Sequence, residues 1–146
     1  MKYLPFFIIS IVMIFSACSS SKPKTTLSAM EIRSIQTKEY DSEDMKLIMN
    51  ALLSTLQDDG YIIEKAKLKM GLVIAEKVDS VYVSDKKIIR ATVNITKNKL
   101  INVRVSFNAT NFYLSRNNSY LILDKRFYQK FFMKLDKAIF IEKEKI

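Results

Sequence analysis

Lys87 to Phe112 reads KIIRATVNITKNKLINVRVSFNATNF, and the period of two running through it decides the fold. Ile89, Ala91, Val93 and Ile95 fall on one side of an extended chain, as do Ile101, Val103, Val105 and Phe107. Arg90, Thr92, Asn94, Asn102, Arg104 and Ser106 fall on the other. Side chains alternate faces along a strand, so this spacing predicts two strands, Lys87 to Lys97 and Leu100 to Phe112, in an antiparallel sheet buried on one face. Asn98-Lys99 between them suits a tight hairpin, because Asn tolerates positive φ.

Working outward, Tyr61 to Lys67 and Leu72 to Val78 are two more strand candidates, parted by a bend near Gly71. Upstream, Met45, Ile48, Met49, Leu52 and Leu56 recur at offsets of three and four and predict a helix over Glu43 to Asp58. Asp41 or Ser42 is its expected N-cap, and Gly60 can close it in the left-handed conformation. The methionines of this stripe read as core fillers. Ahead of it, Glu31 to Tyr40 (EIRSIQTKEY) is weakly extended. Downstream, Arg116, Asn117, Asn118 and Ser119 predict a polar loop. Asp124 to Lys143 then predicts a second helix, with Tyr128, Phe131, Phe132, Leu135, Ala138 and Ile139 on one face. The order (β)-α-β-β-β-β-α implies an α+β domain: a four- to five-stranded antiparallel sheet with two helices packed on one face.

A chain of 146 residues, 49% hydrophobic and 27% charged, has the length and the apolar content for one compact domain. It holds no His, no Trp and a single Cys. Without imidazole there is no Ser-His-Asp or Cys-His nucleophilic system and no His-ligated metal, and one Cys excludes an internal disulfide. No cofactor, metal or catalytic residue is expected, and the chain reads as non-enzymatic. Asp58-Asp59 are adjacent carboxylates at a helix end, where solvation and turn formation account for them. A carboxylate-based hydrolase is the enzyme alternative.

The N-terminus reads as an export signal: Lys2 is the positive end, Leu4 to Phe15 an apolar stretch, and Ser16-Ala17 the small residues before a cut. The stretch falls short of the about 20 apolar residues of a membrane span. Phe15-Ser16-Ala17-Cys18 resembles the lipobox of bacterial lipoprotein signals, with Phe15 where that family usually has Leu. The resemblance implies a signal peptide over 1–17, cleavage before Cys18, acylation of its sulfur, and anchoring in a membrane. Residues 18–30, including the polar run Ser19 to Thr26, read as a tether, and 31–146 as the domain. Ser19 is not the Asp associated with inner-membrane retention, so the expected address is the bacterial outer membrane, facing the periplasm or the surface.

Ala51 to Glu64 (ALLSTLQDDGYIIE) followed by Gly71 to Glu76 (GLVIAE) resembles the helix-then-hairpin pattern of small envelope lipoprotein domains such as the BamC-type helix-grip modules. Tyr128 to Glu142 (YQKFFMKLDKAIFIE) resembles the closing helix of outer-membrane lipoproteins of this size. The likeness implies a fold and an envelope role, and carries no catalytic residue across.

Charge is segregated. Cys18 to Ser80 holds nine Lys or Arg against ten Asp or Glu, whereas Val81 to Ile146 holds fourteen against five. In the last helix Arg126, Lys130, Lys134 and Lys137 fall at steps of four, four and three, a basic stripe opposite the aromatic one. Such a stripe suits anionic lipid headgroups or polysaccharide phosphate, and is also what a merely solvated helix face looks like. Export argues against nucleic acid. The expected function is a membrane-anchored envelope lipoprotein with a structural, assembly or docking role and an envelope protein partner. The alternative is a lipid or apolar-ligand carrier using a groove between the helices and the sheet.

Overall fold

The computed structural model describes residues 27–81, 85–113 and 116–144, without the side chains of 80, 81 and 85. The expected signal peptide, Cys18 and most of the stretch expected as a tether lie outside the described residues. The elements in chain order are α1 (Ala29–Gln36), β1 (Thr37–Tyr40), α2 (Met45–Asp58), β2 (Ile62–Lys67), a 3₁₀ turn (Leu68–Met70), β3 (Leu72–Val81), β4 (Asp85–Lys97), β5 (Ile101–Tyr113), β6 (Arg116–Leu121) and α3 (Lys125–Glu144).

The fold is α+β, and every strand pairing is antiparallel. The stretch Lys87 to Phe112 forms its centre: β4 and β5 pair from Asp85↔Tyr113 to Lys97↔Ile101. Their hairpin is closed by the Asn98 N–H donating to the Leu100 carbonyl at 3.0 Å. The strand order is β1-β5-β4-β3-β2, with β6 also on β5. Since β4 occupies one edge of β5 throughout, β1 and β6 lie end to end along the other. β1 takes Ile101 to Arg104 and β6 takes Asn108 to Tyr113.

The alternation holds. Ala91, Val93, Ile101, Val103, Val105 and Phe107 are fully buried against α2 and α3. Ile48, Leu52 and Leu56 enter this core from α2, and Tyr128, Phe131 and Leu135 from α3. Phe107 is its hub, with the rings of Tyr61, Phe127, Tyr128 and Phe131 at centroid distances of 6.0, 4.9, 5.6 and 5.2 Å. The two glycines act as their positions require. Gly60 ends α2 at φ 82°, and Gly71 turns into β3 at φ 61°.

Three expectations need correction. The stretch Glu31 to Tyr40 is extended only over β1, and its first part is helix α1. Ser28 caps that helix: its Oγ accepts from the Glu31 N–H at 3.2 Å while the Ser28 N–H donates to the Glu31 carboxylate at 2.7 Å. This capping box overrides the weak extended tendency of the residues that follow. This helix includes Ala29 and Met30, which precede residue 31. α2 starts two residues later than expected, because Asp44, not Asp41 or Ser42, accepts the Leu47 N–H at 2.9 Å. The polar segment at Arg116 to Ser119 is strand β6, which pairs with β5 but leaves its side chains exposed. Its contacts are polar, such as the hydroxyl pair Thr110–Ser119 at 2.9 Å. Among the described residues the sheet therefore has six strands, with three helices beside it.

Candidate functional site

The basic stripe is brought together as the spacing predicts. In α3, Tyr128, Phe131, Phe132, Leu135 and Ile139 face the core, which turns Arg126, Lys130, Lys134 and Lys137 to the exposed side. Lys125 and Arg126 occupy the first turn, where the positive end of the helix dipole disfavours cations. Only Asp124, whose carboxylate accepts the Arg126 N–H at 2.8 Å, offsets this. Helix stability does not account for cations at these positions.

α3 runs beside α2, and the stripe divides there. Lys134 pairs with Asp59, the C-cap of α2. Lys134 and Lys137 line a cleft of about 300 Å³ together with Asp58, Asp59 and Ile141. Among the described residues Arg126, Lys130 and Lys137 make no ion pair. The two carboxylates expected to serve solvation thus face lysines.

The outer face of α3 also carries apolar side chains that the sequence reading passed over. Met133 is 68% exposed, Phe140 64% and Ile141 44%. Arg126, Met133, Lys137 and Phe140 follow one another at steps of seven, four and three, so cations and apolar groups alternate along one row. That spacing was the available signal, hidden because the stripe was read for charge alone.

On the other flank of α3, Ile35, Thr37, Lys38, Lys125, Phe132 and Met133 line a surface groove of about 620 Å³ between α1 and α3. Below it Asp136 binds β1 to α3: it accepts from Lys38 Nζ at 2.6 Å and from the Tyr40 hydroxyl at 3.1 Å. Burial, and then the Asp136 charge, push the Tyr40 phenol above its ordinary pKa. The space between helices and sheet is filled instead: Met49, Phe131, Phe132 and Leu135 are all buried in the core cluster.

Among the described residues no group of three or more His, Cys, Asp or Glu could hold a metal ion. None of the described helices is long and apolar enough to cross a membrane. No family model matches this chain, and no curated protein is significantly similar to it.

Proposed function

We propose that the chain is a non-enzymatic, lipid-anchored envelope protein of the bacterial outer membrane, related in design to the BamC-type modules, that docks through the outer face of α3. Cys18 is the acylated residue, and the docking face is Arg126, Lys130 and Lys137 with Met133 and Phe140 between them. The observation that carries this reading is the alternation of exposed cations and exposed apolar side chains on one helix face. Interfacial helices combine the same two elements, apolar groups for the acyl boundary and Lys or Arg for anionic headgroups. Each cation near an anionic surface contributes about 1 kcal/mol, and the apolar groups add roughly 25 cal/mol per Å² buried. An envelope protein partner with an acidic, apolar surface fits the same face. A carrier using the space between helices and sheet finds that space occupied by core side chains.

The core lies within residues 36–139, so the chain from Leu27 onward can be tested without its anchor. That fragment should sediment with phosphatidylglycerol vesicles and not with phosphatidylcholine vesicles. Replacing Arg126, Lys130 and Lys137 together by Glu should weaken sedimentation about 100-fold or more, and Phe140→Ser should weaken it about 10-fold. Unchanged sedimentation removes the docking face. The anchor has its own check. Protein purified from bacterial cells should begin at a Cys18 carrying acyl mass, and retention of Met1 would defeat that assignment.

A further inference from the structure

From Leu27 onward the chain carries Met30, Met45, Met49, Met70 and Met133. Met45 and Met49 belong to the α2 stripe, where Met49 is 4% exposed and Met45 packs against the core. The other three stand open to solvent: Met30 is 81% exposed, Met133 68% and Met70 65%. A small oxidant reaches these thioethers without any opening of the fold. Met30 lies on α1 and Met70 in the 3₁₀ turn, so of the three only Met133 stands on α3, in the row Arg126, Met133, Lys137, Phe140. Phe140 and Ile141, the other apolar groups of that outer face, hold no sulfur. Lys130 and Lys137 stand three residues before and four residues after Met133, the spacings at which side chains on a helix surface are neighbours. Neither lysine makes an ion pair among the described residues, so both ammonium groups are open to a new acceptor between them.

We infer that Met133 is a redox modification site, and that its oxidation to the sulfoxide by peroxide switches the docking face off. The inference rests on the reading of that face as the surface that meets anionic lipid. In the reaction a sulfur lone pair attacks one oxygen of hydrogen peroxide, and the S–O bond forms as the O–O bond breaks. The departing hydroxide takes the proton of the transferred oxygen and leaves as water, so sulfur is oxidised by two electrons and the peroxide is reduced by two. The product is a polar side chain with a strong acceptor oxygen in place of an apolar one. It weakens both parts of the face. The acyl boundary loses an apolar group between the cations, and the sulfoxide oxygen accepts from Lys130 and Lys137, which otherwise face the headgroups. A thiol-dependent sulfoxide reductase reverses the change, two thiols forming a disulfide as the oxygen leaves in water. Met30 and Met70 oxidise as well, but they lie off α3 and leave the face as it was.

The test uses the chain from Leu27 onward, which keeps the whole core, before and after treatment with hydrogen peroxide. Peptide mass spectra should show Met30, Met70 and Met133 as sulfoxides while Met49 stays a thioether. Treatment should weaken sedimentation with phosphatidylglycerol vesicles about 10-fold. The urea midpoint should not move, because Met133 lies outside the core, so the loss is one of docking and not of folding. Incubation with sulfoxide reductases for both epimers and dithiothreitol should restore the affinity. Each variant is compared with itself, treated against untreated. Met133→Leu should show no effect of peroxide, whereas Met30→Leu combined with Met70→Leu should show the same loss as the unsubstituted chain. An untreated chain that does not sediment overturns the docking face and this switch together. A chain that sediments and keeps its affinity after full oxidation of Met133, or loses it equally in Met133→Leu, overturns the switch and leaves the docking face standing. A Met133 that stays reduced while Met30 is converted overturns the switch as well.

Discussion

Gly71 sits where a side chain has no room. Its backbone is in the left-handed region, and a Cβ built there would overlap the Ile95 carbonyl, while its own carbonyl accepts from the Ile95 N–H at 2.6 Å. Gly60 has a similar φ but nothing within 4 Å of such a Cβ. Gly60→Ala should therefore cost about 1 kcal/mol, and Gly71→Ala about 3 kcal/mol or more, as read from urea unfolding. Equal losses would mean that the close approach to β4 does not matter. Phe107→Ala, which empties the centre of the aromatic cluster, should cost roughly 3–5 kcal/mol in the same measurement. Tyr40 and Tyr61 add a pH dependence. Both phenols are raised above the unfolded value of about 10. Their contribution to stability is thus complete below pH 10 and is lost as pH rises further, because the unfolded chain then releases protons that the folded chain retains. In a spectrophotometric titration these two of the seven tyrosines should ionise only as the fold is lost. Asp136→Asn should let Tyr40 ionise at lower pH than before, since the carboxylate that raises it is gone.

At the scale of elements, legibility followed burial. β4 and β5 have one buried and one open face each, so the period of two is written into their residues, and the strand readings at 87–97 and 100–112 hold to within two residues. α2 and α3 each bury one stripe and were equally plain. β6 hides nothing, so Arg116 to Tyr120 carries no alternation, and backbone pairing with β5 makes it a strand. α1 is too short for a periodic stripe and buries only Gln36. Its evidence was local, the Ser28-Ala29-Met30-Glu31 box. Ser28→Ala should accordingly cost about 1 kcal/mol and speed hydrogen exchange in α1 while leaving β4 protected. β2 is one edge of the sheet, and it is blunted by Lys65, Lys67 and a bulge between Ile63 and Lys65. Replacing both lysines by Val should raise aggregation measured by light scattering without lowering the unfolding midpoint.

Over the whole molecule, the sequence showed where charge gathers and the fold shows what it gathers around. The stripe on α3 was visible because its members are neighbours at helical spacing. The cleft beside it was not, since Asp59, Lys134 and Ile141 meet only when α3 has packed against α2. The division of one β5 edge between β1 and β6 has a mechanical consequence. Any tension arriving from residues ahead of Leu27 enters the domain at α1 and passes into β1, which four residue pairs and the Asp136 contacts hold in place. The hairpins from β2 to β6 lie beyond that point on the load path. In a pulling experiment from the N-terminal side, α1 and β1 should peel away in a small first extension, leaving the five-stranded remainder to yield at higher force. A domain with such a weak first link can lengthen its reach before it gives up its core.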